Sequence, residues 1–190
     1  MTNEQTIWNF LYSKLNNAYG TAAMMGNLFA ESSLNPILGN NVKKKTGLTN
    51  EQYTAAVDSG KNDNFVNDGI AYGLAQWYYH TRKKGLLEKA RSSNKSIGDI
   101  NVQLEYLWIE LQSYKTVLNA LYQAKSIREA SDVVLVRFEK PANQSEAVKK
   151  MREKYGQKYY DKYAQKKEIV NVKLPKKFAK EIKNKLEKLL

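Results

Sequence analysis

The segment MMGNLFAESSLNP, residues 24–36, decides how this chain can fold. Its first half is apolar on nearly every side, which is typical of a helix at the centre of a domain. A single acid, Glu31, ends that run, and no other charged residue lies between Lys14 and Lys43. The proline that closes the segment disfavours helical backbone in the residue before it. The segment therefore predicts a buried helix over residues 22–32, with Glu31 near its carboxyl end.

Apolar residues recur at helical spacing through most of the remaining chain. Thr21 is predicted to cap the central helix, and Thr49–Gln52 and Ser126–Glu129 resemble capping boxes. Further helices are predicted at 4–16, 79–92, 100–112, 114–124, 126–139 and 144–163.

One segment departs from this helical spacing. In residues 64–77, the turn signal Asn67-Asp68-Gly69 lies between two short strand-like pieces. The sequence therefore predicts a mostly α (α+β) domain over residues 1–164, with a small β-hairpin lobe beside the helices.

The last 26 residues, 165–190, have a different composition. Nine Lys and three Glu give them six of the twelve net positive charges of the chain. Their apolar residues lie at helical spacing, which predicts a basic amphipathic helix. This tail is a candidate for binding teichoic acid or a membrane surface. A helix packed on its own domain is the alternative.

The composition excludes several kinds of site. The chain has no Cys and a single His, His80, so it has no disulfide, no Cys-ligated zinc site and no multi-His metal site. No apolar stretch approaches the roughly 20 residues of a membrane span, and the polar amino terminus lacks the pattern of a signal peptide. The net charge of +12 favours polyanionic partners, such as nucleic acid, anionic lipid or cell-wall polymers.

Glu31 is either a helix-end acid that faces water or a group kept for chemistry. A negative charge near the carboxyl end of a helix opposes the helix dipole, so its position is unfavourable. Among apolar neighbours a carboxyl tends to keep its proton near neutral pH. A general acid needs that proton to protonate a leaving oxygen, and glycosidic cleavage is the reaction that most needs such a group.

Four motifs, in order, resemble the phage tail lysozyme family, which is related to goose-type lysozymes and lytic transglycosylases. The motifs are MGNLFAESSLNP at 25–36, NFVND at 64–68, YGLAQW at 72–77 and FEKPA at 138–142. The resemblance covers residues 5–163, and four motifs in order are more specific than any one of them.

This resemblance implies that Glu31 is the catalytic acid and that no metal or cofactor is needed. The hairpin would form the floor of a glycan cleft, and two aromatic residues would be its apolar walls. The substrate-binding residues implied in this way are Tyr72, Gly73, Leu74, Gln76, Trp77 and Glu139. Core packing is the alternative for the two aromatics, whereas a buried amide such as that of Gln76 must find hydrogen-bond partners.

A second catalytic carboxylate is less clearly indicated. Asp68 is the first candidate for positioning water or stabilising positive charge at the anomeric carbon, although Asp is also an ordinary turn residue. Asp58, Asp63 and Glu139 compete with it. Many lytic transglycosylases use one acid, helped by the N-acetyl group of the substrate, and then form a 1,6-anhydro sugar.

The predicted function is cleavage of the β-1,4 bond between N-acetylmuramic acid (MurNAc) and N-acetylglucosamine (GlcNAc) in bacterial peptidoglycan. The enzyme would be a tail lysin, carried on the virion among phage tail proteins, or an endolysin released from the infected host. A lytic transglycosylase is the first alternative. The second is a non-catalytic module that binds glycan or another polyanion, and nucleic acid is not expected as a partner.

Overall fold

The computed structural model describes residues 1–172, with side chains described through Ala164. The described part is mostly helical, which confirms the predicted α class. Its helices are α1 (Asn3–Leu15), α2 (Ala18–Ser32), α3 (Val42–Thr46), α4 (Asn50–Asp58), α5 (His80–Ser92), α6 (Ile100–Ser113), α7 (Lys115–Tyr122), α8 (Ile127–Val134) and α9 (Glu146–Val172). A π-helical turn, Leu135–Glu139, directly follows α8.

The central helix α2 lies where the sequence places it. It is buried along most of its length and packs against α1, α7, α8 and α9. Its amino end differs from the prediction, because the side chain of Asn17 caps it by accepting from the Gly20 N–H. Thr21 instead lies inside the helix and is fully buried. The helix ends at Ser32, as predicted, and Ser33 follows it in the left-handed backbone region with a φ of 53°.

The other predicted caps agree with the structure more closely. Thr49 and Gln52 form a complete capping box at α4. The side chain of Ser126 accepts from the backbone N–H of Glu129 and so caps α8. The predicted helix over 126–139 ends early as an α-helix, because its last five residues form the π-helical turn.

The predicted β-hairpin lobe is wrong. Residues 63–67, which contain the first of the two predicted strand-like pieces, form a series of turns rather than a strand. Among residues 1–172, β-pairing is limited to two isolated bridges, which join Tyr72 to Gly39 and to Trp77. The short hairpin that does exist is therefore the turn at residues 73–76, closed by Tyr72 and Trp77.

A close crossing of α2 and α9 determines where the two helices meet. Gly26 of α2 has no room for a Cβ, which would collide with the carbonyl oxygen of Arg152. A Cβ on Gly156 of α9 would lie 2.8 Å from the carbonyl oxygen of Ala22. Because neither glycine carries a side chain, the two backbones approach closely, and the side chain of Arg152 reaches the carboxyl half of α2.

The predicted tail, 165–190, lies largely outside the described residues. Only its first residues, to Val172, are described, as backbone in the last part of α9. Within the described residues, no helix has both the length and the apolar character needed to cross a membrane.

Candidate active site

Glu31, on the last turn of α2, forms an ion pair with Arg152 of α9. The distance from Arg152 Nη2 to Glu31 Oε1 is 2.5 Å, and the two side chains are 6% and 20% exposed. A charge-assisted contact of this kind fixes the carboxylate in one orientation. The neighbours of this carboxyl therefore include a cation, whereas the sequence indicated only apolar neighbours for it.

A buried amide holds Arg152 in place. Asn27 lies one helical turn before Glu31, and its Oδ1 accepts from Arg152 Nη1 at 3.0 Å. The Nδ2 of Asn27 donates to the hydroxyl of Ser131 at 2.9 Å and to the carbonyl of Ala23 at 2.9 Å. These contacts join α2, α8 and α9 through buried groups and orient the guanidinium, whose Nε alone has no hydrogen-bond partner.

The turn at residues 73–76 brings Gln76 to the same site. Gln76 has a φ of 43°, in the left-handed region that non-glycine residues seldom occupy. Its Nε2 donates to the carbonyls of Leu38 and Gly73, both at 3.0 Å. An amide has two N–H donors, so both are used and Oε1 remains to accept from a ligand.

Gln103 of α6 supports this turn from behind. Its Oε1 accepts from the Leu74 N–H at 2.8 Å, and its Nε2 donates to the carbonyl of Ile97 at 2.7 Å. Gly73, with a φ of 79°, packs so closely on this amide that a Cβ would lie 2.7 Å from Gln103 Oε1. The hydroxyl of Ser32 donates to the Leu74 carbonyl at 2.9 Å, which ties the turn to the end of α2.

Glu31 and Gln76 line one cavity of about 500 Å³, here called the Glu31 cavity. Its other lining residues combine polar side chains with small or apolar ones: Leu38, Gly39, Asn40, Asn41 and Ala71. A polar cavity of this size accommodates a sugar unit, with amides that can donate to and accept from hydroxyl groups. Glu31 is the acidic residue of this lining.

A second carboxyl, that of Glu139, lies in the electrostatic field of Glu31. It ends the π-helical turn, a feature that occurs often at functional sites. Its Oε1 is enclosed and has no hydrogen-bond partner. Burial, and then the charge of Glu31, raise the pKa of Glu139 to about 8, although the positive charges of Arg82 and Arg152 oppose the shift. Glu139 is therefore protonated at neutral pH.

Asp68, the predicted second catalytic acid, is bonded on both oxygens. Oδ1 accepts from the Ile70 N–H at 2.8 Å and from the ammonium of Lys83, and Oδ2 accepts from the hydroxyl of Tyr53. Burial, which outweighs the pull of Asp68, lowers the pKa of Lys83. Asp68 is not part of the Glu31 cavity lining. It anchors its loop to α4 and α5, and a catalytic role for it stays a prediction.

Two of the residues predicted to contact substrate cannot do so. Tyr72 and Trp77 have no exposed surface, so the prediction that they are the walls of a glycan cleft is wrong. The hydroxyl of Tyr72 is hydrogen bonded to that of Thr54 at 2.7 Å. The indole N–H of Trp77 donates to Glu110 Oε2 at 2.5 Å. Both rings pack in the core and position the turn between them, which is the alternative that the sequence left open.

The remaining predicted residues differ in their surroundings. Gly73 and Leu74 are buried in the turn, and their backbone groups form its hydrogen bonds with the side chains described above. Asp58 Oδ1 accepts from the Ile97 N–H at 2.9 Å, so this acid anchors a loop. Asp63 and His80 are exposed. Within the described residues, no group of three or more His, Asp or Glu side chains is arranged to hold a metal ion.

The sequence reasoning did not identify Arg152. A signal was nonetheless present, because the tyrosines of α9 mark its buried face and include Tyr159, which is fully buried. Stepping back along that face by helical spacing leads to Gly156 and then to Arg152. A cation on a buried helix face needs an acidic partner, and Glu31 is the isolated acid of the central helix.

The fold and the site together define a class of protein: a helical domain whose polar cavity contains a fixed glutamate, as in enzymes that cleave glycans. A family model described as phage tail lysozyme matches residues 2–163. The chain therefore belongs to the phage tail lysozyme family, and it is a lysozyme-like peptidoglycan hydrolase of phage type that acts on the bacterial cell wall. No curated protein matches the sequence.

Proposed function

We propose that this protein cleaves the β-1,4 bond between MurNAc and GlcNAc, with Glu31 as the general acid. The observation that carries the proposal is that Glu31, held by Arg152, lines a polar cavity together with Gln76. Arg152 occupies one carboxylate oxygen, so Oε2 remains available to the glycosidic oxygen of a bound glycan. As a virion-borne tail lysin or a released endolysin, the protein would open the peptidoglycan layer.

A neutral carboxyl, that of Glu139, lies beside the proposed acid at neutral pH. Two neighbouring carboxyl groups do not both ionise at neutral pH, because their negative charges repel each other. With its pKa raised to about 8, Glu139 retains its proton at pH 7. In the proposed step Glu31, once it has taken up a proton from solvent, transfers it to the leaving oxygen while positive charge develops at the anomeric carbon, and water then attacks that carbon. The neutral Glu139 adds no second negative charge beside Glu31.

The first test is the substitution Glu31→Gln, which keeps the shape of the side chain and removes the acid. General acid catalysis contributes about 10²- to 10⁴-fold, so the rate at which purified cell walls lose turbidity falls by about that factor. Thermal unfolding monitored by circular dichroism checks that the variant is folded. The exposed substitution Glu88→Gln, which makes the same change in charge away from the cavity, retains the wild-type rate.

The outcomes separate this function from its rivals. Equal clearing by wild type and Glu31→Gln would exclude Glu31 as the acid. No clearing by the wild type, with binding to the walls retained, would favour a non-catalytic glycan-binding module.

A lytic transglycosylase is the second candidate, and one observation favours it. Glu31 is the acidic residue in the lining of its cavity, and both oxygens of Asp68 are already bonded elsewhere. A mechanism with one acid, in which the substrate N-acetyl group assists, suits that arrangement. Mass spectrometry of the released muropeptides decides between the two, because the 1,6-anhydro product is lighter by one water than the reducing-end product of hydrolysis.

A further inference from the structure

A second cavity of about 470 Å³, here called the lysine cavity, lies beside the Glu31 cavity. The two linings share Gly39 and Asn41, so the cavities are neighbours. Asn41 has a φ of 61° and its side chain forms no capping hydrogen bond for α3. A left-handed backbone at a non-glycine residue costs energy and is often found at ligand sites.

Two unpaired cations distinguish the lysine cavity from its neighbour. Lys43 and Lys44 line it, and neither side chain forms an ion pair or hydrogen bond with any residue of the described part of the chain. The next lysine, Lys45, is not free in this sense, because its ammonium donates to the carbonyl of Gly69. The run of three lysines, Lys43 to Lys45, therefore divides into one structural residue and two available ones.

The one acid of this lining offsets only part of its positive charge. Glu51 lies in the first turn of α4, where hydrogen bonding from its own backbone N–H and from the hydroxyl of Thr49 lowers its pKa below the ordinary value. Glu51 is therefore ionised at neutral pH, and against two lysines it leaves the lining with a net positive charge. Neither ammonium group forms an ion pair with a described residue.

We propose that the lysine cavity binds a carboxylate of the peptide stem attached to MurNAc, next to the sugar units held in the Glu31 cavity. This inference rests on the proposed function, because it assumes that peptidoglycan occupies the Glu31 cavity. The lactyl group of MurNAc carries a short peptide, and such peptides contain free carboxylates. A glycan that fills one cavity carries its peptide into the space beside it, where Lys43 and Lys44 provide positive charge. The enzyme therefore recognises glycan strands that bear peptide stems.

The test measures binding separately from cleavage. In the Glu31→Gln background, the dissociation constant is measured for soluble glycan oligomers with intact peptide stems and for the same oligomers after an amidase has removed the stems. Exposed ion pairs contribute modestly, so two lysines are expected to make peptide-bearing oligomers bind about 3- to 10-fold more tightly at low salt. The double substitution Lys43→Gln/Lys44→Gln removes this preference and leaves the affinity for stripped oligomers unchanged.

The control is a double substitution with the same loss of charge at Lys61 and Lys125. Both lysines are exposed, and neither lines either cavity. The double variant Lys61→Gln/Lys125→Gln keeps the preference for peptide-bearing oligomers. An equal loss in both double variants would mean that overall charge alone attracts the substrate, and would overturn the inference.

Two further results bear on the same inference. If removal of Lys43 and Lys44 weakens binding only to walls that carry teichoic acid, the bound anion is a polymer phosphate and the proposal is wrong. Failure of the proposed function gives a different result, because the wild type would then cleave neither peptide-bearing nor stripped glycan. Wild-type cleavage of both at equal efficiency, with equal binding, would overturn the inference and leave the proposed function intact.

Discussion

Two carboxylates of this protein, those of Asp68 and Glu31, are each paired with a buried cation but are bonded differently. The side chains of Lys83 and Asp68 are 0% and 10% exposed, and the pair of Arg152 and Glu31 is almost as well enclosed. Asp68 accepts hydrogen bonds on both oxygens, from an ammonium, a hydroxyl and a backbone N–H. Glu31 accepts on Oε1 alone among the described residues.

This difference shows that free acceptor capacity, more than burial, separates a structural acid from a candidate catalytic one. An ionised carboxylate can accept about four hydrogen bonds. Asp68 accepts three hydrogen bonds, from Tyr53, Ile70 and Lys83, so this acid holds a loop in place. Glu31 lies beside a cavity with one oxygen unengaged, and a ligand can reach it.

The largest expected effect comes from breaking the buried ion pair of Lys83 and Asp68. The substitution Lys83→Met leaves Asp68 as a buried charge without its cation, and removing one partner of a buried pair costs about 3–5 kcal/mol. We expect the free energy of unfolding, measured in urea, to fall by that amount. The turnover of the molecules that remain folded should change less than threefold.

The double variant Lys83→Met/Asp68→Asn serves as the control for this prediction. It removes the uncompensated charge, so it should be more stable than Lys83→Met alone. If Asp68→Asn instead lowers turnover 100-fold or more well below its unfolding temperature, Asp68 is catalytic and the distinction between the two acids fails.

The second largest effect is expected from breaking the ion pair of Arg152 and Glu31 at the cavity. Arg152→Ala leaves Glu31 without the group that orients it, and a misplaced catalytic group costs about 10- to 100-fold in kcat. Added guanidinium at low millimolar concentration should restore part of the turnover, because it can occupy the space left by the side chain. Steady-state kinetics on soluble peptidoglycan fragments measures both effects.

Arg152→Lys refines this prediction. Lys retains the positive charge but lacks the planar guanidinium, whose two terminal nitrogens donate to Asn27 and to Glu31. It should recover less than full turnover. An effect of guanidinium on Lys83→Met as large as that on Arg152→Ala would show that the rescue is not specific to the cavity pair.

The sequence predicted most of the helical frame because periodicity and capping are local signals. Helix α2 ends at Ser32 as expected, and the capping box of Thr49 forms completely. The hairpin prediction was wrong because Asn67-Asp68-Gly69 is a turn signal whether or not strands flank it. The side chain of Asp68, in a loop, instead pairs with Lys83 of α5.

The candidate site was only partly predictable for a similar reason. Glu31 and Gln76 were found from their motifs, and they do line one cavity. Arg152 contacts Glu31 across 121 positions of sequence. That contact depends on how closely α2 and α9 cross, which a single sequence does not specify.

The smallest expected effect concerns Glu139, whose carboxyl has neither the full set of partners of Asp68 nor the single cation of Glu31. Its pKa is raised to about 8 in the folded protein, against about 4.3 in an unfolded chain. Between those values the folded state keeps a proton that the unfolded state has lost, so the free energy of unfolding falls as pH rises. Below about pH 4 this loss is absent, and above about pH 8 it is complete.

Glu139→Gln removes this titration, because the amide is neutral at every pH. We expect wild type to lose about 1–3 kcal/mol of stability between pH 5 and pH 8 that the variant does not lose, measured by urea unfolding at both values. The exposed variant Glu88→Gln should follow the wild type. The alkaline limb of the turnover profile should also change in Glu139→Gln, because the amide cannot lose the proton that Glu139 loses near pH 8. An unchanged limb would mean that Glu139 contributes to the stability of the cavity but not to the proton used in cleavage.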